Sequence, residues 1–166
     1  VCWVVDIAKA ILDGLYDIRV MESSKLEDVM EIEKSAYEFP WTRSMFSSSL
    51  SSKDKCSLLY VENRLVGYAI VSYILDEAHL LNICISPQFE GLGLGRILLR
   101  KLIAEALEKR SLCFFLEVRS SNARAINLYF SEGFNEVGVR PNYYPSKKGR
   151  EDAVLMTLDL SVDAVV

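Results

Sequence analysis

The chain has 166 residues, of which 51% are hydrophobic, and it carries a net charge of −4 with an isoelectric point near 5.1. This length and apolar content predict one domain with a sizeable core, and the acidic balance argues against non-specific nucleic-acid binding. The longest apolar runs have strand length, and residues 1–15 lack the basic leading segment of a secretory signal. We therefore expect a soluble cytoplasmic protein with no membrane span.

The pattern of apolar and turn residues predicts seven strands and five helices. The strand-like segments are rich in β-branched and aromatic residues, and they span Asp17–Met21, Ser57–Glu62, Leu65–Leu75, Glu77–Ser86, Leu112–Val118, Phe134–Arg140 and Asp152–Leu160. The helix-like segments lie near residues 1–15, 24–37, 42–50, 97–107 and 122–130. The order is that of an α+β fold in which one strand–helix–strand crossover carries a glycine-rich loop.

Capping and turn residues predict several boundaries. Ser23 or Ser24 can cap the helix near residues 24–37, and Pro40 breaks the chain after it. Asn63-Arg64 is a plausible hairpin turn, and Tyr143, Tyr144 and Pro145 are expected in a loop between the last two strands. The helix near residues 24–37 should pack on the core through one stripe of side chains. The stripe consists of Leu26, Val29, Met30, Ile32 and Glu33.

Cysteine and histidine usage disfavours two kinds of scaffold. The four cysteines are scattered without C-x-x-C spacing, and His79 is the one histidine of the sequence. We therefore predict neither a metal site nor a disulfide framework. Buried, reduced thiols are the expected state of Cys2, Cys56, Cys84 and Cys113.

Closely spaced glycines occur in the segment Glu90–Arg96 (EGLGLGR), between a predicted strand and a predicted helix. Main-chain N–H groups at a helix start lack intrahelical acceptors, and glycine lets an anion approach the main chain closely. The segment therefore predicts a phosphate-binding loop. Its expected donors are the N–H groups of Leu92, Gly93, Leu94, Gly95 and Arg96.

Two nucleotide-binding loops compete with this interpretation. A P-loop is excluded because no Lys-Ser/Thr pair follows the glycines. A dinucleotide site remains the weaker alternative. Gly93-x-Gly95 opens a helix, and Glu117 follows in the sequence at about the separation expected for a ribose-binding acid. Leu98 occupies the position of the third glycine, however, and would block close packing of helix on strand.

Glu117 interrupts an otherwise apolar predicted strand. A carboxylate isolated in such surroundings is poised to accept a proton, directly or through a water molecule. The competing interpretation is a buried ion pair with Arg119 or Arg124.

Several short motifs, in their order and spacing, resemble the GNAT family of N-acetyltransferases. The loop keeps two glycines of the family pattern, and it has Glu90 where the family has glutamine or arginine. The other motifs are Glu38-Phe39-Pro40-Trp41, Leu75-Asp76-Glu77-Ala78, Leu116-Glu117-Val118-Arg119, Asn127-Leu128-Tyr129 and Asn142-Tyr143-Tyr144-Pro145. The likeness covers residues 16–160, which leaves residues 1–15 as an extra helical segment and 161–166 as a tail.

This resemblance implies a GNAT fold, a single domain with a mostly antiparallel sheet of six to seven strands, splayed around the coenzyme site and flanked by four helices. It implies acetyl-CoA as co-substrate, no metal, and direct transfer in a ternary complex. The motifs resemble those of the branch that acetylates the N-terminal alanine of the eighteenth small-subunit ribosomal protein, which is therefore the expected acceptor. Another protein N-terminus, a lysine, a small amine, or a non-catalytic coenzyme-binding module remain alternatives, and the oligomeric state is open.

The resemblance also implies roles for individual residues. Glu117 is the expected general base and Tyr129 the expected acid for the coenzyme A thiolate, with packing as the alternative for Tyr129. The expected coenzyme contacts, besides the loop, are Asn122, Tyr129 and the main chain of Ile83, Cys84 and Ile85. The expected acceptor contacts are Glu38, Phe39, Trp41, Glu77, Tyr143 and Tyr144.

Overall fold

The computed structural model describes residues 2–161, with side chains from Ile7 onward. In this part of the chain seven strands form one sheet, in the order β1-β2-β3-β4-β5-β7-β6. The strands are β1 (Tyr16–Val20), β2 (Lys55–Val61), β3 (Arg64–Ile74), β4 (Glu77–Ile85), β5 (Cys113–Arg119), β6 (Asn135–Ser146) and β7 (Gly149–Asp159). The helices are α1 (Cys2–Leu12), α2 (Leu26–Ala36), α3 (Arg43–Ser51), α4 (Leu94–Glu108) and α5 (Ala123–Ser131), with 3₁₀ turns at Ser23–Lys25 and Pro87–Phe89. The predicted α+β fold is confirmed.

Strand β5 lies between a parallel and an antiparallel neighbour. Residues Glu77–Leu80 of β4 pair in parallel with Cys113–Leu116 of β5. On its other side β5 pairs with β7 along its whole length, as far as Arg119 opposite Ala153. Glu117 therefore lies just past the last β4–β5 pair, where the main chain of β5 still pairs with β7.

The contacts within the chain divide it into two compact units, and β3, β4 and α4 each pass from one unit to the other. The first unit comprises the residues up to Ile70 together with Asn82–Leu99, and the second comprises Val71–Leu81 and the residues from Arg100 on. The core of the first unit is built around the buried side chains of Val29, Phe46, Leu58, Tyr68 and Ile70. In the second unit Phe134 packs against Phe114 and Tyr129, with ring centroids 5.8 and 5.7 Å apart.

Helix α4 begins three residues earlier than the sequence indicates, at Leu94 instead of Ile97. Its predicted apolar face is confirmed for four of five residues, because Leu98, Leu99, Leu102 and Ala106 are fully buried and Ile103 is half-buried. None of the helices within residues 2–161 has the length and apolar character that crossing a membrane requires.

Two predicted boundaries in the first unit are wrong by a few residues. Ser23 and Ser24 do not cap α2, because they form a 3₁₀ turn ahead of it, and the helix starts from Lys25 without a side-chain cap. The β2–β3 hairpin turns at Glu62 and Asn63, whose φ angles of 47° and 64° are typical of a type I′ turn, and Arg64 already belongs to β3.

The predicted loop around Tyr143, Tyr144 and Pro145 is instead part of β6, which runs on to Ser146. The register to β7 shifts between Arg140 and Tyr144. In this irregular stretch the side chain of Asp152 accepts the N–H of Asn142 at 2.8 Å. Arg150 donates to the carbonyls of Asn142 and Tyr143, both at 2.6 Å. Side chains of β7 thus replace ladder hydrogen bonds, which a local sequence pattern does not show.

Gly67 of β3 allows a close approach of β4 at Cys84 and Ile85. A Cβ at Gly67 would lie 2.6 Å from the carbonyl oxygen of Cys84 and 2.6 Å from Cδ1 of Ile85. Because a backbone oxygen cannot rotate away, Gly67→Ala should lower the free energy of unfolding by about 1 to 3 kcal/mol, measured by urea denaturation. Gly138→Ala is the matched control, since its new Cβ would be 3.5 Å from Leu155. Equal stability of the two variants would contradict the prediction.

Candidate active site

The glycine-rich segment forms an open loop at the start of α4. Gly91 and Gly93 have φ angles of 81° and 79°, a region that favours glycine. A Cβ at either position would meet nothing within 4 Å. Glu90 is exposed, as expected for a carboxylate beside a proposed anion site. The loop therefore has room for an anion against its main chain.

The structure narrows the set of main-chain donors. The N–H of Arg96 donates to the carbonyl of Gly93 at 3.1 Å, as does the N–H of Ile97. The prediction that Arg96 offers a free N–H is therefore wrong, because the helix begins early enough to use it. Leu94 and Gly95 are the first two helical residues, whose N–H groups have no intrahelical acceptor. With those of Leu92 and Gly93, these N–H groups are the candidate donors to a phosphate group.

The end of β4 is held by Tyr37, which follows α2. The Tyr37 hydroxyl donates to the carbonyl of Ile83 at 2.9 Å. Cys84 is 4% exposed, and burial raises the pKa of its thiol to about 12. A thiol that stays neutral at physiological pH is a poor nucleophile, so Cys84 is unsuited to carry an acyl group.

Glu117 lies on the half-buried face of β5, together with Phe115 and Arg119. Its side chain is 29% exposed, and Oε1 lies 2.8 Å from Nη1 of Arg140 on β6. The prediction of an isolated carboxylate is therefore wrong, and so is the alternative pairing with Arg119 or Arg124. Arg119 instead binds Glu151 of β7 at 2.6 Å. Glu117 keeps a second oxygen, Oε2, for a further partner.

Tyr129 of α5 and Tyr144 of β6 lie near each other. Tyr129 is 5% exposed. Burial is the larger cause that raises the pKa of its hydroxyl above the ordinary value, and the nearby Tyr144 is the smaller one. Among residues 7–161, none forms a hydrogen bond with that hydroxyl. The Tyr144 hydroxyl donates to the main-chain carbonyl of Glu117 at 3.4 Å. Burial and the charge of Glu117 raise the pKa of the Tyr144 hydroxyl to about 12. Within the second unit Tyr144 thus contacts the main chain of Glu117 and lies near Tyr129.

Two arginines fix the aromatic pair of β6. The guanidinium of Arg119 lies 4.5 Å from the ring centroid of Tyr144, and that of Arg140 lies 4.8 Å from the ring centroid of Tyr143. The tyrosine rings meet edge to face at 4.9 Å. Arg140 therefore contacts both Glu117 and Tyr143, which joins the predicted base to a predicted acceptor contact.

The remaining predicted contacts have structural partners of their own. Asn122 caps α5, since its Oδ1 accepts the N–H of Ala125 at 3.1 Å. Glu77 lies 2.8 Å from Nε2 of His79. Trp41 packs against Phe46, at a centroid distance of 5.4 Å. Glu38 and Phe39 are exposed between α2 and α3. The predicted ligand contacts of Asn122, Glu77, Glu38, Phe39 and Trp41 stay predictions.

Sequence reasoning missed the importance of Glu33, which it counted within the apolar stripe of α2. Glu33 is 1% exposed, and its carboxylate accepts hydrogen bonds from the Tyr68 hydroxyl and, at 2.7 Å, from the N–H of Trp41. A charged residue at a core position was the available signal, because a buried carboxylate must have partners.

Along the chain, a glycine-rich loop at a helix start precedes a strand that carries a carboxylate and a helix that carries a buried tyrosine. Residues 26–134 match the family model described as the acetyltransferase (GNAT) family, so the chain belongs to this family and is an N-acetyltransferase. The family assignment replaces the dinucleotide alternative.

Curated relatives and a solved structure agree with this assignment. The chain is 44% identical over 146 residues to the [ribosomal protein bS18]-alanine N-acetyltransferase of Escherichia coli K12, covering 87% of this chain and 98% of that protein. It is 41% identical over 145 residues to the protein of the same name from Salmonella typhimurium, with the same two coverages. The crystal structure of the ribosomal-protein-S18-alanine N-acetyltransferase from Escherichia coli superposes with a TM-score of 0.84 at 41% identity, covering 89% of this chain and 95% of that one.

Proposed function

We propose that this protein transfers the acetyl group of acetyl-CoA to the N-terminal α-amine of a ribosomal protein, specifically to the N-terminal alanine of bS18. The names of the relatives, over nearly their whole length, support the acceptor. The observation that carries the chemistry is the cluster in which Tyr144 contacts Glu117 and neighbours Tyr129. Because the proposed acceptor is a ribosomal protein, we propose the cytoplasm as the site of the reaction.

Glu117 is the proposed general base. Arg140 holds Oε1, which orients the carboxylate and leaves Oε2 to accept a proton from the amine, directly or through water. An α-ammonium with a pKa near 7.7 to 8 loses its proton at neutral pH for about 1 kcal/mol, whereas a lysine costs about 4 to 5 kcal/mol. A carboxylate base therefore suits an α-amine better than a lysine.

Tyr129 is the proposed general acid. Burial holds the proton on its hydroxyl, so that the hydroxyl can protonate a departing thiolate. Acetyl-CoA, when bound, supplies the acetyl thioester. Because Cys84 stays neutral and buried, the transfer is proposed to be direct, in a ternary complex.

The proposed coenzyme contacts follow from the exposed main chain of the loop. The N–H groups of Leu92 to Gly95 would hold the diphosphate, with Arg96 now left out of this set. The main chain of Ile83 to Ile85 would hold the pantetheine arm and the thioester oxygen, and Asn122 would add a side-chain contact.

The proposed acceptor contacts combine carboxylates with aromatic rings. Acidic side chains at this site suit a cationic ribosomal peptide. The proposed set is Glu38, Phe39, Trp41, Glu77, Tyr143 and Tyr144.

Incubation of the enzyme with acetyl-CoA and a synthetic peptide of the bS18 N-terminus should add one acetyl group to the α-amine, located by tandem mass spectrometry. The control peptide has the same sequence with a blocked N-terminus and free lysines, and it should stay unmodified. A second series that varies the first residue measures the preference for alanine. Acetylation of lysines alone, or of no peptide while a small amine is modified, would refute the proposed acceptor.

A further inference from the structure

Glu33 is a carboxylate buried at an unusual cost. It is 1% exposed on the core face of α2, and residues 2–161 provide no cationic partner for it. Burying a charge is unfavourable unless hydrogen bonds compensate for the lost water. Here the compensating donors are neutral, the hydroxyl of Tyr68 on β3 and the N–H of Trp41. An apolar residue at this position would pack on the core at lower cost, so stability alone does not explain the carboxylate.

Glu33 fixes both ends of the segment between α2 and α3. Its main-chain carbonyl accepts the N–H of Tyr37 at 3.0 Å, where α2 ends. Its side chain accepts the N–H of Trp41 at 2.7 Å, one residue before Thr42, the N-cap of α3. Residues 38–40 therefore lie between two residues, Tyr37 and Trp41, whose N–H groups both donate to Glu33.

Two of the residues held in this way face solvent. Glu38 and Phe39 are both exposed, and Phe39 retains 40% of its accessible surface. An exposed aromatic ring beside a carboxylate, on a segment whose ends are fixed, is a preorganised surface for a peptide.

We propose that Glu33 is a positioning residue that sets the geometry of residues 38–41 for the acceptor peptide. This inference rests on the proposed function, because it takes Glu38 and Phe39 as acceptor contacts. Glu33 does not touch substrate in this proposal. It acts through the Trp41 N–H, so its loss should weaken acceptor binding and leave coenzyme binding and chemistry nearly unchanged.

Steady-state kinetics of three variants test the proposal. Glu33→Met removes the acceptor for the Trp41 N–H, and we expect the KM for the peptide to rise about tenfold, as for one lost hydrogen bond to a charged group. Neither kcat nor the KM for acetyl-CoA should change more than about twofold. Glu33→Gln keeps an oxygen that can accept this N–H, so its KM for the peptide should lie close to the wild-type value.

Tyr68→Phe is the matched control, because it removes the other hydrogen bond of the same buried carboxylate and leaves the bond to Trp41 in place. Its peptide KM should stay near the wild-type value. A rise in peptide KM equal to that of Glu33→Met would show a general loss of core integrity and would overturn the proposal. If Glu33→Met does not fold, Pro40→Gly decides the question, since loosening the segment between its fixed ends should raise the peptide KM alone.

Fluorescence gives a readout that does not depend on the acceptor. The sequence contains two tryptophans, so Trp3→Phe leaves Trp41 as the single reporter. In that background Glu33→Met should increase acrylamide quenching of Trp41, and Tyr68→Phe should not. Failure of the wild-type enzyme to modify the bS18 peptide would refute the proposed function, whereas unchanged quenching in Glu33→Met would refute the role of Glu33. Increased quenching with an unchanged peptide KM would also refute it.

Discussion

Replacing Glu117 with glutamine should lower kcat by about 10² to 10⁴-fold, the usual contribution of a positioned general base. Glutamine keeps the size of the side chain but cannot take a proton from the amine. Affinity for acetyl-CoA, measured by isothermal titration calorimetry, should stay near the wild-type value, because the proposed coenzyme contacts do not include the Glu117 carboxylate. Steady-state kinetics with the bS18 peptide measures the loss of turnover.

The matched control for Glu117→Gln is Glu132→Gln. Glu132 is also a carboxylate bound to an arginine, since Nε of Arg100 lies 2.7 Å from its Oε2. Both substitutions break an arginine–carboxylate pair, so any general effect of losing an ion pair should appear in both. We expect kcat of Glu132→Gln to lie within about twofold of wild type. Turnover of Glu117→Gln as high as that of the control would mean that Glu117 is not the base.

The elements that could be predicted from sequence are those whose signals are local. The face of α4 follows from apolar residues spaced three and four apart, and Asn122, the predicted cap of α5, does cap that helix. The glycine loop was found because positive φ angles at Gly91 and Gly93 need that residue type. These features depend on a few neighbouring residues and hardly on the tertiary fold.

The errors concern partners that are distant in the chain. Arg140 lies 23 positions beyond Glu117, and only the sheet order that places β7 between β5 and β6 determines which arginine reaches the carboxylate. The continuation of β6 through Pro145 depends on Arg150 and Asp152 of the next strand. Nothing in the local pattern specifies either pairing, because cross-strand hydrogen bonds depend on register.

Glu33 shows a third kind of limit, in which periodicity finds the position and misses the chemistry. The stripe of α2 was predicted correctly, and all five of its residues are buried. The pattern treats every stripe position as packing, however, and a carboxylate among them indicates a polar network. Tyr68 lies 35 positions away in the chain, so the sequence alone could not name its partner.

The second prediction with a large effect concerns the acid. Tyr129→Phe should lower kcat by about 10² to 10⁴-fold, because the departing thiolate then lacks its proton donor. The fold should tolerate the change, since none of residues 7–161 depends on a hydrogen bond to this hydroxyl. Stopped-flow or steady-state measurement of free thiol release gives the rate, and thermal unfolding confirms that the variant is folded.

The pH dependence and a control variant separate acid catalysis from packing. Burial raises the pKa of Tyr129, so its protonated form persists as the pH rises through the ordinary tyrosine value. Deprotonation of Tyr129 should therefore not lower the wild-type kcat at any pH up to about 10. Tyr73→Phe removes another buried hydroxyl without a hydrogen-bond partner, within the same unit, and should leave kcat unchanged. If Tyr129→Phe behaved like Tyr73→Phe, Tyr129 would be a packing residue and the thiolate would take its proton from another donor.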